Sequence, residues 1–596
     1  MPTYRAPIKD IMYNISDILN IEQYQNLPGF EEVSEGLFKA ILEEGGKLCE
    51  EVLQPLNTIG DAEGCTRHED GSVTTPKGFK EAYKLYCDGG WMGISQDPKY
   101  GGQGLPYIVS VILEEMSAGA NMAFNMYPGL TQGAAASIYQ VGTEKQKETY
   151  LPNMNSGKWT GTMCLTEAHC GTDLGLMRSK AKEVENGTYK ITGSKIFISA
   201  GEHDMAENIV HLVLAKIPGG PEGSKGISLF IVPKFLTNDD GSLGDINNVI
   251  CGSIEKKMGL HGNSTCVMNF DDATGYLLGE EHDGLKAMFI MMNVARIGVG
   301  MQGLGQSEVS YQNAVDYAKD RLQMRSISGP KNPDGRADPI IVHPDIRRML
   351  MDARAFNEGA RSLAMWVSLF PNLEKVESDK KKKEFYKDIL GLLTPVMKGV
   401  FTDKGYENAT NAQQVYGGHG YIKEWGMDQF VRDARITMIY EGTNGIQALD
   451  LVGRKLGAKG GRAIQSFFGM ITKDLENNKD EAYMEFTTPL KTALGDLQQA
   501  SMWLLQNAME NPDNAGAASY AYMHLLGLVA IGHRWLKMAI TSNKALKAGS
   551  NDPEFHENKL ITARYFMERM LPETSAHLKK VEAGAAIMMA LKADSF

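Results

Sequence analysis

The sequence predicts an α+β protein in four successive parts: helical, β-rich, helical and helical again. Three observations carry that expectation. At 596 residues the chain exceeds what one hydrophobic core organises, so about two to four domains are expected. Apolar residues recur at three- and four-residue spacing before residue 160 and again from residue 285. Between them the runs are short, β-branched and punctuated by Gly, Pro and Asn-Gly. The expected parts are 1–159, 160–284, 285–455 and 456–596.

In the first part, "IVSVILEEMSAGANMAFNMY" has the apolar spacing of a helix. In the second, "YKITGSKIFISAG", "NIVHLVLAKI", "GISLFIVPKF" and "STCVMNFDD" read as strands, and Asn186-Gly187 fits a tight hairpin turn because both positions tolerate positive φ. Helical spacing returns with Leu285, Met288, Met292, Ala295 and Val299 on one face. The run Lys380 to Lys383, flanked by acids, reads as a solvated turn between two helical patterns. The last part is helical and near charge balance, with loop signals at "ENPDNAG" and "KAGSNDPEF".

Composition narrows the function classes. A net charge of -12 disfavours nucleic acid as a partner, because backbone binding depends on clustered Lys and Arg. The apolar run "YMHLLGLVAIGHRW" is interrupted and too short to span a bilayer, so no membrane association is expected. The N-terminus carries early acids and lacks the apolar core of a secretory signal, which makes a cytoplasmic protein the expectation. Seven scattered cysteines without a C-x-x-C pair, and twelve histidines without H-E-x-x-H, suggest neither a disulfide framework nor a metal site.

"GVGMQG", Gly298 to Gly303, spells the G-x-G-x-x-G of a dinucleotide loop. Such a loop needs a strand before it and a helix opening within it. Here the helical pattern runs on both sides, so the glycines are better read as small residues that let helices approach closely.

The segment "QVYGGHGYIKEWGMDQFVRDARITMIYEGTNGIQ" carries the most chemistry. Glu441 follows the apolar Met438-Ile439-Tyr440, and Asn444 and Gln447 have the spacing of an N-cap and its capping-box partner, so a helix should begin just after Glu441. An acid at that place also serves the helix dipole alone. A carboxylate held among apolar groups has its charged form disfavoured and becomes a stronger base, suited to a weakly acidic C–H, and nearby backbone N–H groups could bind a developing enolate oxygen.

"IYEGT", with "QVYGGHGY" and "RDARI" ahead of it, resembles the C-terminal catalytic segment of the acyl-CoA dehydrogenases. "QDPKYGGQGL", "CLTEAHCGTDLG", "KITGSKIFISAG", "KKMGLHGNSTCVMNFDD" and "YAKDRLQ" occur in the family's order and together span most of residues 80–455. The resemblance implies an N-terminal helical domain, a middle β-barrel-like domain and a C-terminal helical bundle, here followed by an extra helical domain. It also implies FAD, an acyl-CoA substrate with a short acyl chain, and an electron-transferring flavoprotein as acceptor. Relatives with C-terminal extensions are often dimers, so a homodimer is expected.

Carried over by position, the resemblance assigns Met163, Leu165 and Thr166 to the flavin's pyrimidine side and Thr172 to the cofactor and the nearby acyl-CoA. Phe197 should pack on the flavin ring and Ser199 should face its N5. Arg321 and Gln323 match flavin-phosphate contacts, often made across a subunit interface. Gln414, Gly417 and Gly418 match contacts to the adenosine half, and Thr443 a further cofactor contact. Arg296 and Gly442 match positions near the bound substrate, and Glu441 matches the catalytic base. Read without the family, Arg296 is a surface arginine.

The sequence departs from the family pattern at Ala168, where Pro is usual, at Thr172 in "GTD" for "GSD", and at Phe197, where Trp is frequent. Some relatives place the base at the position of Ala295, which cannot act as one. A general short- or medium-chain dehydrogenase and an acyl-CoA oxidase stay open as alternatives, as does a dehydrogenase-like protein associated with DNA.

Overall fold

A computed structural model of the chain describes residues 2–185, 187–238 and 241–596, so Asn186 of the expected hairpin turn lies outside the described residues. The chain divides into two units, Lys47–Gly298 and a second formed by residues up to Gly46 together with Val299–Phe596.

In the first unit, seven strands form one sheet: β1 (Trp159–Cys164), β2 (Lys180–Glu183), β3 (Thr188–Ser199), β4 (Asn208–Lys216), β5 (Ile227–Pro233), β6 (Val249–Ile254) and β7 (Thr265–Leu277). The order is β6-β7-β3-β2-β4-β1, and β5 bridges β7 and β4, which closes the sheet into a barrel. Strand β4, "NIVHLVLAK", is buried along nearly its whole length because both faces are covered. Val210, Leu212 and Leu214 pack with Ala134, Ile138 and Met288 of neighbouring helices, while Val213 and Ala215 join Phe230, Cys266 and Met268 in the other core. The two-residue alternation of a strand thus supplies two cores at once.

The helix Tyr107–Val141 carries the quoted first-part pattern but breaks at Asn121 (φ -157°, ψ 92°). Asn121 accepts a hydrogen bond from the Phe124 N–H at 3.0 Å and donates to the Leu53 carbonyl at 3.1 Å, which satisfies the backbone and the buried amide at the kink.

The second unit is helical. Its frame is α1 (Gly284–Asp320), whose later half belongs here, with α2 (Lys380–Val415), α3 (Asn444–Asp450) and α4 (Pro512–Lys547). The Gly298–Gly303 motif lies inside the uninterrupted α1. A Cβ on Gly303 would come within 2.6 Å of the Phe401 carbonyl oxygen, and one on Gly405 within 2.4 Å of the Gly303 carbonyl oxygen. The glycines therefore serve the close crossing of α1 and α2.

Two expectations need correction. The lysine run is the first turn of α2, not a loop, since the Asp379 carboxylate caps the Lys381 N–H at 2.8 Å. Residues up to Gly46, read as the start of the first helical part, belong to the second unit. The reason is a buried charge network that periodicity does not reveal. Asp10 receives Arg361 at 2.5 Å and also Lys559; Arg361 reaches Glu308 at 2.9 Å, and Lys559 reaches Glu358 at 2.7 Å. Burial pushes the Asp10 carboxyl up, but Lys559 and Arg361 outweigh it and hold the group below its usual range. Helices α1 and α4 are long and apolar enough to cross a membrane by length and composition, and 78% of the most apolar window of α4 is buried within the protein.

Gly303→Ala is expected to lower stability by about 1–3 kcal/mol through overpacking, measured by denaturant unfolding, with cofactor affinity unchanged. In the first unit, desolvation raises the Glu114 carboxyl from 4.5 to about 7, only partly opposed by Asn125. The folded state therefore holds this proton more tightly than the unfolded chain, so the Glu114 contribution to stability falls as pH rises from 4.5 to about 7. Melting temperatures across that window should fall more steeply for the native sequence than for Glu114→Gln.

Candidate active site

The Glu441 turn is built against the backbone's preference. Glu441 has φ +58° and Gly442 φ +86°, two consecutive left-handed residues. Glycine takes that conformation without steric cost, whereas glutamate does so only where its surroundings hold it. Those surroundings are polar and buried. Lys398 on α2, fully shielded from solvent, donates to the Gly442 carbonyl at 2.8 Å and to the Asn444 side-chain oxygen at 2.8 Å. Gln447 donates to the carbonyls of Glu441 and Gly442 at 3.1 and 3.2 Å. The Asn444 N–H closes the turn on the Met438 carbonyl at 3.1 Å.

These contacts revise the capping assignment. The N-cap of α3 is Thr443, whose hydroxyl accepts from the Ile446 N–H at 3.4 Å. Asn444 is drawn inward instead, donating to Asp403 at 2.7 Å and to the Thr402 hydroxyl at 2.9 Å. Gln447 does reach back, but it reaches carbonyl oxygens and not the N-cap N–H. The Glu441 side chain is half-buried, with Oε2 shielded from solvent, and the neighbouring Tyr440 hydroxyl donates to Gln302 of α1. Thr443 is exposed and Gly442 half-buried.

At the other end of α2, Tyr416 stacks on Tyr317 of α1 with ring centroids 4.0 Å apart, and the Tyr317 hydroxyl meets His419 at 2.9 Å. This contact brings the ends of the two helices together, so exposed Arg321, one turn beyond Tyr317, and exposed Gln414 belong to the same corner. Gly417 (φ +57°) and Gly418 turn the chain there, and a Cβ on either would meet open space. Gln323 is exposed on the loop after α1, where its N–H donates to the Asp338 carbonyl at 3.0 Å. That loop is tied from inside: the buried Asp338 carboxylate accepts the N–H groups of Ser326, Lys331 and Asn332 at 2.8, 2.9 and 2.7 Å. Backbone donation, led by Ser326, lowers its pKa to about 2.

The residues assigned in the first unit cluster at the end of β1 and on β3. Opposite Val267 the β3–β7 register slips, and Phe197 occupies the bulge with φ +58° and 59% of its surface exposed. A bulge re-aims a side chain, and a bulky residue in the left-handed region marks a place held under constraint. Met163, Leu165, Thr166 and Ser199 are half-buried nearby in the chain's path, and the Ile196 N–H donates to the Thr166 carbonyl at 2.9 Å. Thr172 is exposed in the loop that follows.

Sequence reasoning did not single out the pair that holds this corner. Lys195, fully buried, donates to Glu167 at 2.9 Å and to the Leu165 carbonyl at 3.1 Å. Glu167 also accepts from the Ser179 hydroxyl at 2.6 Å and from the Arg178 and Ser179 N–H groups at 2.8 and 3.0 Å. Burial pushes the Glu167 carboxyl up, but Lys195 and these donors prevail and hold it at about 2. The available signal was a lysine in the same two-residue register as the inward-facing Tyr189 and Ile191 of β3. Arg296 on α1 also differs from its surface reading: it is 7% exposed, with its guanidinium 5.8 Å from the Phe289 ring.

Family models match nearly the whole chain: the acyl-CoA dehydrogenase N-terminal domain over residues 47–158, the middle domain over 162–273, the C-terminal domain over 282–456, and an acetyl-CoA dehydrogenase C-terminal-like domain over 467–592. The chain is 41% identical to 3-methylmercaptopropionyl-CoA dehydrogenase of Ruegeria pomeroyi, over 99% of its own length and 100% of the relative's. It is 32% identical to a butyryl-CoA dehydrogenase of Syntrophomonas wolfei, over 98% of each. Among solved structures, an acyl-CoA dehydrogenase of Bacillus anthracis complexed with FAD shares the fold with a TM-score of 0.74 at 22% identity, over 96% of this chain and 91% of that one. ACDH-11 of Caenorhabditis elegans shares it with a TM-score of 0.77 at 18% identity, over 98% and 95%. The chain belongs to the acyl-CoA dehydrogenase family, FAD-dependent oxidoreductases that act on CH–CH bonds.

Proposed function

We propose that the chain dehydrogenates 3-(methylthio)propanoyl-CoA to 3-(methylthio)acryloyl-CoA, a step in dimethylsulfoniopropionate breakdown. The observation that carries the substrate is the 41% identity to the Ruegeria pomeroyi enzyme across both full lengths. Within the same reading, the protein is a cytoplasmic homodimer that passes electrons to an electron-transferring flavoprotein.

Glu441 is the base that removes the α-proton. The bond to be broken is weakly acidic, so the carboxylate must be held at the α-carbon before reaction, and the left-handed turn holds it by its own backbone. The Glu441 main-chain N–H is the donor assigned to the thioester carbonyl, where negative charge develops chiefly in the transition state. Gly442, where a Cβ would come within 2.7 Å of the Gln447 amide nitrogen, lets the turn close beside this donor, and Gly442, Thr172 and Arg296 are assigned to the acyl-CoA.

The residues present suit FAD. Phe197 offers an exposed aromatic face on a bulge, and Gly417 and Gly418 form a turn with open space where side chains would stand. Phe197, Met163, Leu165, Thr166, Thr172 and Ser199 would hold the flavin end. Arg321 supplies a cation for the phosphates, with Gln323, Gln414, Gly417, Gly418 and Thr443 completing the cofactor set. FAD supplies the hydride acceptor for the β-carbon when bound.

Glu441→Gln should retain flavin and lose about 10²–10⁴-fold in kcat; near-native turnover would remove Glu441 as the base. Anaerobic titration with 3-(methylthio)propanoyl-CoA, butanoyl-CoA and octanoyl-CoA, followed by flavin bleaching, tests the substrate. Preferential bleaching by the methylthio substrate is expected, and an equal or better response to a plain acyl-CoA would make the enzyme a generalist.

A further inference from the structure

The turn that carries Glu441 is reached, through two side chains, by the helical region that follows the catalytic bundle. Asp403 on α2 gives one carboxylate oxygen to Asn444 at 2.7 Å. Its other oxygen accepts from the Tyr520 hydroxyl and lies 2.8 Å from Nε2 of His524, both on α4. Asp403 and Asn444 are buried, at 9% and 4% exposure, so these contacts are made largely out of water. Asn444 in turn shares Lys398 with Gly442, the residue after Glu441.

A cavity of about 320 Å³ lies between α2 and α4, lined in part by Met438, Tyr520, His524 and His577. Met438 is also the residue whose carbonyl closes the turn. Helix α3, which opens at Asn444, packs on both α2 and α4, and the hydrogen bonds to Asp403 give that packing a fixed direction at the turn. His524 is itself set by its near-parallel stacking on His577, with centroids 5.7 Å apart and planes 15° from parallel.

We propose that Tyr520 and His524 are positioning residues for the dehydrogenation, orienting Asp403 so that Asn444 and Lys398 keep Glu441 in its left-handed turn. The role of the C-terminal helical region in catalysis is therefore to brace the base from behind. The proposal rests on Glu441 being the base.

The test compares the flavin-loaded full chain with Tyr520→Phe/His524→Leu, Tyr520→Phe, His524→Gln and Glu441→Gln. The double variant removes both α4 donors to Asp403 and leaves the Asn444 amide, whereas His524→Gln keeps a donor amide. The double variant should lose about 10- to 100-fold in kcat with KM and flavin content little changed, since small misplacements of a reacting group are costly. The α-deuterium isotope effect should rise, amide hydrogen exchange should quicken in residues 438–444, and His524→Gln should restore most of the rate. If the double variant fails to fold, Tyr520→Phe carries the same readouts at smaller size.

Native kcat and unchanged exchange at 438–444 would overturn the proposal. So would a loss that follows melting temperature and is not restored by His524→Gln. Glu441→Gln separates the two readings: full activity there removes the base assignment, while inactivity there beside a native-like double variant removes only the brace.

Discussion

Two left-handed residues in succession, Glu441 and Gly442, are the constraint around which the catalytic bundle is arranged. A non-glycine residue in that conformation costs about 1–3 kcal/mol, and an isolated turn would relax. It persists with the help of a buried ammonium, Lys398, which donates to both the Gly442 carbonyl and the Asn444 side-chain oxygen. Withdrawing hydrogen-bond acceptors from a buried charge is costly, and that cost opposes relaxation of the turn. The close crossing of α1 and α2 at Gly303 and Gly405 keeps the helix that bears Lys398 and Asp403 in place, and α4 meets Asp403 from its other side. The turn, the helix crossing and the added helical region are thus parts of one mechanical arrangement.

The β-domain reaches the same end by different means. Phe197 is an exposed aromatic residue in the left-handed region, and its strand would straighten if the register slip with β7 were free to relax. Behind it, Lys195 and Glu167 form a buried pair whose remaining bonds hold Leu165 and Ser179. Buried pairs contribute less to net stability than to choosing one arrangement among several, and here the arrangement chosen is the corner where the assigned flavin residues lie. In both units a non-glycine residue in the left-handed region has a buried lysine nearby in its segment's hydrogen-bond network.

Much of the plan was legible because it depends on periodicity. The change from helical to strand spacing near residue 160, and its return near 285, mark the order of parts, and helix on both sides of "GVGMQG" identified those glycines as packing residues. What was hidden depends on contacts distant in sequence. Asn444 has the chemistry of an N-cap but is pulled inward by Asp403 and Thr402, leaving the cap to Thr443. Arg296 reads as a surface cation until neighbouring segments bury it. The N-terminal segment joins the distant helical unit because Asp10 meets Arg361 and Lys559, more than 300 residues away. Spacing along one segment carries no record of such partners.

The most direct measurement is a crystal structure of the FAD-loaded protein with a non-oxidisable thioether analogue of the acyl-CoA. The 440–443 turn should be unchanged, with a Glu441 carboxylate oxygen about 3–3.5 Å from the atom at the α-carbon position. A turn that refolds on binding, or a carboxylate directed away from the acyl chain, would contradict the claim that the fold sets the base in place before the substrate arrives.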